Sequence, residues 1–202
     1  MPMGNYSDLE NALSVWLGGR SDLTTYVSLF VQMFEATCNR RLRVREMENL
    51  VALTTTDGVG SLPTGYLGWR NVWWQGSQKR LLEWVHPSYY TAEWPTVPSG
   101  CPIAFTITDG SIYIAPTDDT ATYGLEYYLA IPSLEIDGTN WLFTEHPDVY
   151  LYGALAESAA LTQDDNALAK WIARRDKIFQ EIEDLDKRDG KFASIKILGP
   201  TP

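Results

Sequence analysis

The apolar positions of the chain change period twice, from helical to alternating and back. Tyr6, Leu9, Leu13 and Trp16 recur at steps of three and four, the spacing that lines one face of a helix. Ser7 and Glu10 stand as a capping box near its start, and Gly18-Gly19 as its stop. A second helix is predicted from Ser21-Asp22, with Leu23, Tyr26, Val27, Phe30, Phe34 and Cys38 on one face. Its end is basic, with Arg40, Arg41, Arg43 and Arg45 in close succession.

From Glu48 the pattern becomes strand-like. Leu67, Trp69 and Trp73 alternate with Arg70, Val72 and Trp74, and Gln75-Gly76-Ser77 reads as a turn into a strand over Leu81–Val85. Phe105 and Ile107 lead through Asp109-Gly110 into Ile112 and Ile114, the signature of a tight hairpin. Tyr123, Leu125, Tyr127 and Leu129 alternate again before Pro132. The prolines at 63, 95, 98, 102 and 116 punctuate short antiparallel strands, and His86–Trp94 fits a short helical turn.

Helical spacing returns after Asn140. Pro147–Leu161 is apolar on most sides and rich in Gly and Ala, which suits a central, closely packed helix, with His146 in its first turn and Thr144 as its cap. The next helix carries Leu168, Trp171, Ile172, Ile178, Phe179, Ile182 and Leu185, opens at Asp164-Asp165 and ends at Gly190. The predicted fold class is α+β: an antiparallel helical bundle of about four helices, an inserted antiparallel β-rich subdomain and an extended C-terminal tail. The corresponding segments are 1–47, 48–139, 140–189 and 190–202.

Composition narrows the function. With 202 residues, 45% hydrophobic and 21% charged, the chain is expected to be a soluble globular protein with one main core. The net charge of −10 argues against a protein that grips DNA by its phosphates. Cys38 and Cys101 form neither a disulfide framework nor a metal-ligand spacing, and are expected to be buried thiols. There is no signal-peptide pattern and no membrane-spanning run, which points to assembly in the cytoplasm.

Residues suited to catalysis are few. His86 and His146 each precede a proline and have no neighbouring nucleophile motif. Asp118-Asp119 and Asp164-Asp165 read as a turn and a helix start rather than a cation site, and Gly58-Val59-Gly60 is no phosphate cradle. No catalytic residue, cofactor or metal is expected. The arginines from Arg40 to Arg45 have two readings: cations favoured by the dipole at a helix C-terminus, or contacts to a neighbouring subunit's carboxylates or to DNA. Phe192, Ile195, Ile197 and Leu198 give the final segment more apolar surface than a loose tail needs, and alternate as an added strand would. Both groups are candidate interfaces.

The order of several motifs resembles the adaptor, or head–tail connector, family of tailed bacteriophages over nearly the whole chain. The N-terminal part is similar through Trp16-Leu17, Arg20-Ser21-Asp22-Leu23 and Asn39–Glu48. Leu62-Pro63, Tyr66-Leu67, Arg70 and Gly76 look like the family's first hairpin, and Phe105, Ile107, Ile112, Ile114 and Pro116, then Leu125, Tyr127-Tyr128 and Ile131-Pro132 continue it. The most specific stretch is Asn140–Thr144 followed by Pro147–Leu155 and Glu157. Cys38 stands in place of an aliphatic, while Trp73-Trp74 and the Thr91–Pro102 loop are particular to this chain.

The resemblance implies a non-enzymatic virion protein of the neck: a homo-oligomeric ring, commonly dodecameric, joining the portal protein to a tail or nozzle protein. DNA would pass through its channel without specific binding, and no membrane is involved. Two other readings stay open. The aromatic wealth could serve a carbohydrate-binding β-rich module, with exposed tryptophans clustered on the sheet. A hydrolase would need a pocket around His86 or His146.

Overall fold

The computed structural model describes residues 3–76 and 79–192, the last four by their backbone alone. The order of elements is α1 (Tyr6–Trp16), α2 (Ser21–Thr24), α3 (Val27–Arg41), a 3-10 turn (Arg45–Met47), β1 (Glu48–Leu53), β2 (Val59–Ser61), β3 (Tyr66–Gln75), β4 (Lys79–Leu81), β5 (Glu83–Trp84), α4 (Pro87–Glu93), β6 (Ala104–Thr108), β7 (Ser111–Ala115), β8 (Thr122–Leu129), α5 (Leu134–Asp137), α6 (Trp141–Glu145), α7 (Pro147–Leu161) and α8 (Asp165–Phe192). The fold is mixed α+β. The described residues hold eight α-helices: the expected turn over His86–Trp94 is α4, the second predicted helix is divided into α2 and α3, and the short α5 and α6 add to the four helices expected of the bundle. Internal contacts group the chain into a helical unit, up to Glu46 and from Ile131 onward, and a β unit, Met47–Ala130.

In the helical unit α7 is the hub, packing against α1, α3, α6 and α8. Its near-continuous apolar sequence follows from this position, and Val149, Tyr150, Ala154 and Leu155 are all buried. Gly153 lies under the ring of Phe34 from α3: a β-carbon there would meet Phe34 Cγ at 2.5 Å and other ring atoms closer still. Only glycine lets the two helices approach so closely. Phe34 is fully buried, edge-on to Tyr150 at 5.0 Å and stacked on Phe179 of α8 at 6.1 Å. At roughly 1.5–3 kcal/mol for each buried large side chain, such contacts outweigh helix propensity in holding the unit together.

Local chemistry moves several predicted boundaries. The cap of α1 is Asn5, whose side chain accepts from the Asp8 N–H at 3.0 Å while Asp8 accepts from the Gly4 N–H at 2.9 Å. The reciprocal pair therefore lies two residues before the expected Ser7 and Glu10. The predicted second helix is broken between α2 and α3. There the Thr24 and Thr25 hydroxyls bond back to the Ser21 carbonyl at 3.1 and 3.4 Å, competing with the helical ladder.

The second change of helix, at α6 and α7, also departs from the prediction. Asn140 caps α6 through the Phe143 N–H at 2.9 Å, and Thr144 lies within α6 with its hydroxyl on the Asn140 carbonyl. His146 occupies the junction at φ −133°, ψ 62°, since the residue before a proline is turned away from helical geometry. Asp164 caps α8 by accepting the Ala167 N–H at 3.0 Å. That helix continues through Gly190, where an end was expected, to Phe192.

The β unit has two four-stranded sheets, ordered β1-β8-β3-β4 and β2-β7-β6-β5. All pairings are antiparallel except β5 with β6. Inner residues of both sheets share one core, with Val72, Tyr123 and Leu125 from the first and Phe105, Ile112 and Ile114 from the second. The hairpin β6–β7 turns at Asp109 and Gly110, both at positive φ, as its sequence predicts. The predicted strand over Leu81–Val85 is instead two, because buried Leu82 sits where the chain leaves one sheet for the other.

In β3 the register against β8 shifts between Tyr66 and Gly68 and again between Trp69 and Asn71. Each irregularity resets which face a side chain takes. Trp73 is buried against Gly124 of β8, whereas Trp69 is exposed.

Candidate functional site

The basic run begins at the last turn of α3, whose axis delivers Arg40 and Arg41, and continues on the extended segment after it. Arg41 reaches α8, with Nη1 at 3.0 Å from Asp176 and Nε at 3.2 Å from Glu183, and its guanidinium lies 4.7 Å from the centre of the Phe179 ring. Arg45 pairs with Asp186 at 3.4 Å, and its N–H donates to the same carboxylate at 3.1 Å. Arg43 donates to the Asn39 carbonyl at 2.8 Å and to that of Leu42, so it satisfies the end of α3.

Two of the four arginines are therefore held in ion pairs within their own chain, and a third by backbone carbonyls. The acidic face of α8 holds Arg41 and Arg45. Arg40 differs: its guanidinium bonds the Thr37 hydroxyl at 3.0 Å and makes no ion pair among the described residues. The candidate interface residues Ile195, Ile197 and Leu198 lie outside the described residues, as does the side chain of Phe192.

The structure also groups residues that sequence spacing did not connect. Tyr152 and Trp171 stack at 5.8 Å, Trp16 meets Trp171 edge-on at 5.5 Å, and the Arg174 guanidinium lies 5.5 Å from the Trp171 ring. These residues come from α1, α7 and α8, so no local period joins them. In the β unit Trp69 and Trp84, about 40% exposed, stack nearly parallel at 6.3 Å. Phe105 stands edge-on to Trp69 at 5.3 Å and His86 edge-on to Trp84 at 6.4 Å. The pair meets the sugar-binding expectation of exposed tryptophans, yet both rings already have aromatic partners.

Buried polar groups have structural duties. Glu35 of α3 accepts the Leu134 N–H at 2.7 Å and the Tyr150 hydroxyl at 3.3 Å. Asn140 donates to Tyr150 and to the Pro132 carbonyl at 2.7 and 2.8 Å. Burial pushes the Glu35 carboxyl and the Tyr150 phenol above their ordinary values. The stretch beginning at Asn140, which carries the strongest resemblance, is thus the clasp between α3, α6 and α7.

Asp119 accepts from the Thr55 and Thr117 hydroxyls at 2.9 and 2.7 Å and from the Asp57 and Gly58 N–H groups at 3.0 and 3.1 Å. These donors, led by Thr117, hold its carboxyl below the usual range. This carboxylate ties a loop together, and no group of three or more metal-ligating side chains occurs among the described residues.

The two histidines sit in different settings. His86 accepts the Ser88 N–H on Nδ1 at 3.2 Å and so caps α4. His146 borders a cavity of about 140 Å³ with Arg45, Glu46, Glu145 and Asp186, and no serine, threonine or cysteine lines it. Cys38 is fully buried, and burial pushes its thiol upward. Cys101 is exposed, contrary to expectation, because it lies on the loop before β6 rather than in a strand. No helix among the described residues is long and apolar enough to cross a membrane.

No curated protein matches the chain. The sequence model of one family, described as SU10 adaptor protein, matches residues 4–194 and so spans both units. The chain therefore belongs to the SU10 adaptor protein family, a family of phage head–tail adaptors, and is a structural adaptor component of the virion.

Proposed function

We propose that copies of this chain form an oligomeric ring in the neck of the particle, joining the portal to the tail or nozzle and leaving an axial channel for DNA. The family match over residues 4–194 carries this reading. The ring is taken as dodecameric and non-enzymatic, with α1, α3, α7 and α8 as its helical bundle, Met47–Ala130 as the inserted domain and the final segment as an extended arm. A net charge of −10 supports passage of DNA with little adhesion, since a carboxylate-rich lining repels phosphates.

Contacts between neighbours in such a ring are heterologous, with two different surfaces of one subunit meeting two others. Arg40 is the arginine best placed for such a contact, since it is held only by the Thr37 hydroxyl while its companions meet carboxylates or backbone carbonyls. The apolar residues Ile195, Ile197 and Leu198 dock on the portal or an adjacent subunit by strand addition, and Phe192, the last residue of α8, leads into them.

The test is mass photometry of the portal ring mixed with the purified protein. The portal peak is expected to rise by a fixed multiple of 22.8 kDa, and the variant lacking Lys191–Pro202 is expected to fold but leave the peak unmoved. A portal peak unmoved by the full chain refutes the adaptor assembly. Undiminished binding by the truncated chain refutes only the arm. Sugar binding, which the exposed Trp69–Trp84 pair favours, would instead give saturable quenching of tryptophan fluorescence by a glycan.

A further inference from the structure

The two most exposed large apolar side chains among the described residues both belong to the helical unit: Ile136 of α5 at 84% and Val15 of α1 at 77%. Ile136 stands on a corner that is tied down on both sides. Leu134 is fully buried and its N–H donates to Glu35 at 2.7 Å. Glu135 accepts from the Ser28 hydroxyl at 2.7 Å and the Gln32 amide at 2.9 Å, and Gly138 closes the turn at φ 75°. An apolar side chain held outward by such contacts needs little further ordering when a partner covers it. Carboxylates flank it, Glu135 before and Asp137 after, and Asp137 makes no ion pair among the described residues.

Val15 belongs to a different feature. With Asn11, Ala12 and Trp16 of α1 and Leu151 of α7 it borders an open groove of about 670 Å³. Asp8, the acid of that lining, accepts the Gly4 N–H at 2.9 Å. Trp16, half exposed, carries the surface on to Trp171 and Tyr152. Two cations lie over these rings: the Lys170 ammonium 4.3 Å from the centre of Trp171, and the Arg174 guanidinium 5.4 Å from that of Tyr152. Both cations are exposed, and neither pairs with a carboxylate among the described residues. In a chain of net charge −10 such a cationic, aromatic face stands out, and Trp, Tyr and Arg are the residues that dominate binding energy at protein interfaces.

The two features face different ways. The Tyr6 N–H donates to the Gly138 carbonyl at 3.0 Å, which sets the corner at the start of α1. From Tyr6 to Val15 the helix makes about two and a half turns at about 3.6 residues each, so Val15 points to the opposite side, about 13 Å further along the axis. A chain therefore does not bring its own Ile136 to its own groove. A second copy can, and the contact is then heterologous, each copy offering its corner to one neighbour and its groove to the other.

We infer that the α5 corner of one copy docks in the α1–α7 groove of the next, with Ile136 against Val15, Trp16 and Leu151 and the carboxylates of Glu135 and Asp137 facing Lys170 and Arg174. The occupant is a second copy because its corner carries both things this face lacks, a branched apolar side chain and carboxylates on either side of it. DNA phosphates would meet the cations but leave the apolar groove uncovered, and the chain's net charge opposes them. The contact rests on the ring reading and names where one copy holds the next; it can fail while portal binding stands.

The experiment uses full-length chains carrying Cys101→Ser, which leaves only the buried Cys38. One chain also carries Ile136→Cys and another, mass-tagged, Val15→Cys. Their mixture is treated with a short bismaleimide, alone and on the portal ring. The expected result is a conjugate between the two kinds of chain, with little between chains of one kind. Its yield should fall about tenfold or more when the Val15→Cys chain also carries Arg174→Asp, and recover when the Ile136→Cys chain also carries Asp137→Arg. Lys170→Glu provides an independent charge reversal with the same expected fall, and thermal melting checks that each variant folds. A mixed conjugate absent both alone and on the portal ring overturns the proposal, while a risen portal peak in that sample shows that the ring reading stands without it. Conjugates as abundant within one kind of chain as between the two overturn it, as does a yield indifferent to both charge reversals or not recovered by Asp137→Arg. No conjugate, together with capture of a labelled oligothymidine that Arg174→Asp abolishes, overturns it in favour of nucleic acid.

Discussion

Gly153→Ala isolates the contact on which the helical unit closes. On α7 alone the change is favourable, since alanine exceeds glycine in a helix interior by about 1 kcal/mol. Against that, the added carbon would lie 2.5 Å from Phe34 Cγ, where carbon atoms prefer roughly 3.5–4.0 Å. Phe34 is fully buried between Tyr150 and Phe179, so about 1 Å of displacement must pass into the surrounding core.

Overpacking of this kind costs typically 1–3 kcal/mol, and so severe an overlap belongs at the upper end. The net expectation is a loss of about 1–2 kcal/mol. For a chain of this length that lowers Tm by about 2–8 °C. Denaturant and thermal melts of Gly153→Ala, Phe34→Ala and the double variant give the coupling. Phe34→Ala alone costs about 3–5 kcal/mol by cavity formation. In the double variant the new methyl occupies space the ring vacated, so the combined loss falls short of the sum by at least about 1 kcal/mol. A Tm that is unchanged or raised by Gly153→Ala, or strict additivity, refutes the close approach.

Four other substitutions probe other parts of the molecule. Glu35 has its carboxyl raised by burial, so its stabilising share is greatest below its ordinary value of 4.5 and is lost as pH rises through the folded value. The stability of Glu35→Gln relative to the wild type should therefore climb from pH 4.5 towards neutrality, by about 1.4 kcal/mol for each tenfold gain in the carboxyl's proton affinity on folding. A flat difference contradicts the desolvation argument. Arg41→Ala should cost about 1–2 kcal/mol through two ion pairs and the contact over Phe179, whereas Arg40→Ala should stay within about 0.5 kcal/mol and weaken ring assembly. Equal destabilisation by the two would refute the division of labour. Asp119→Ala should lower Tm by freeing four donors, and the wild type's advantage should fade as pH falls below 3.8, since the folded carboxyl is held low.

The fold class was legible because period and turn chemistry are local. Asp109-Gly110 specifies its hairpin outright, and the near-uniform apolar character of Pro147–Leu161 announces a helix covered on most sides. What the sequence hid depends on partners distant in the chain. Nothing near Arg41 reveals that Asp176 and Glu183 will claim it, so the basic run looks freer than it is. The irregularities of β3 arise only against β8, which is why the alternation of its tryptophans misleads about their faces.

The first and last strands of the β unit, β1 and β8, are hydrogen-bonded neighbours, with Glu48 opposite Tyr128. Opposed residues of such a pair lie about 5 Å apart, so the chain departs from the helical unit and returns to it at nearly one point. For α3 and α7 to meet, an unfolded insertion would impose the closure entropy of a very long loop. Once β1 and β8 have paired, that loop shrinks to a short connection. Pairing of β1 with β8 therefore lowers the entropy cost of bringing Phe34 and Gly153 together.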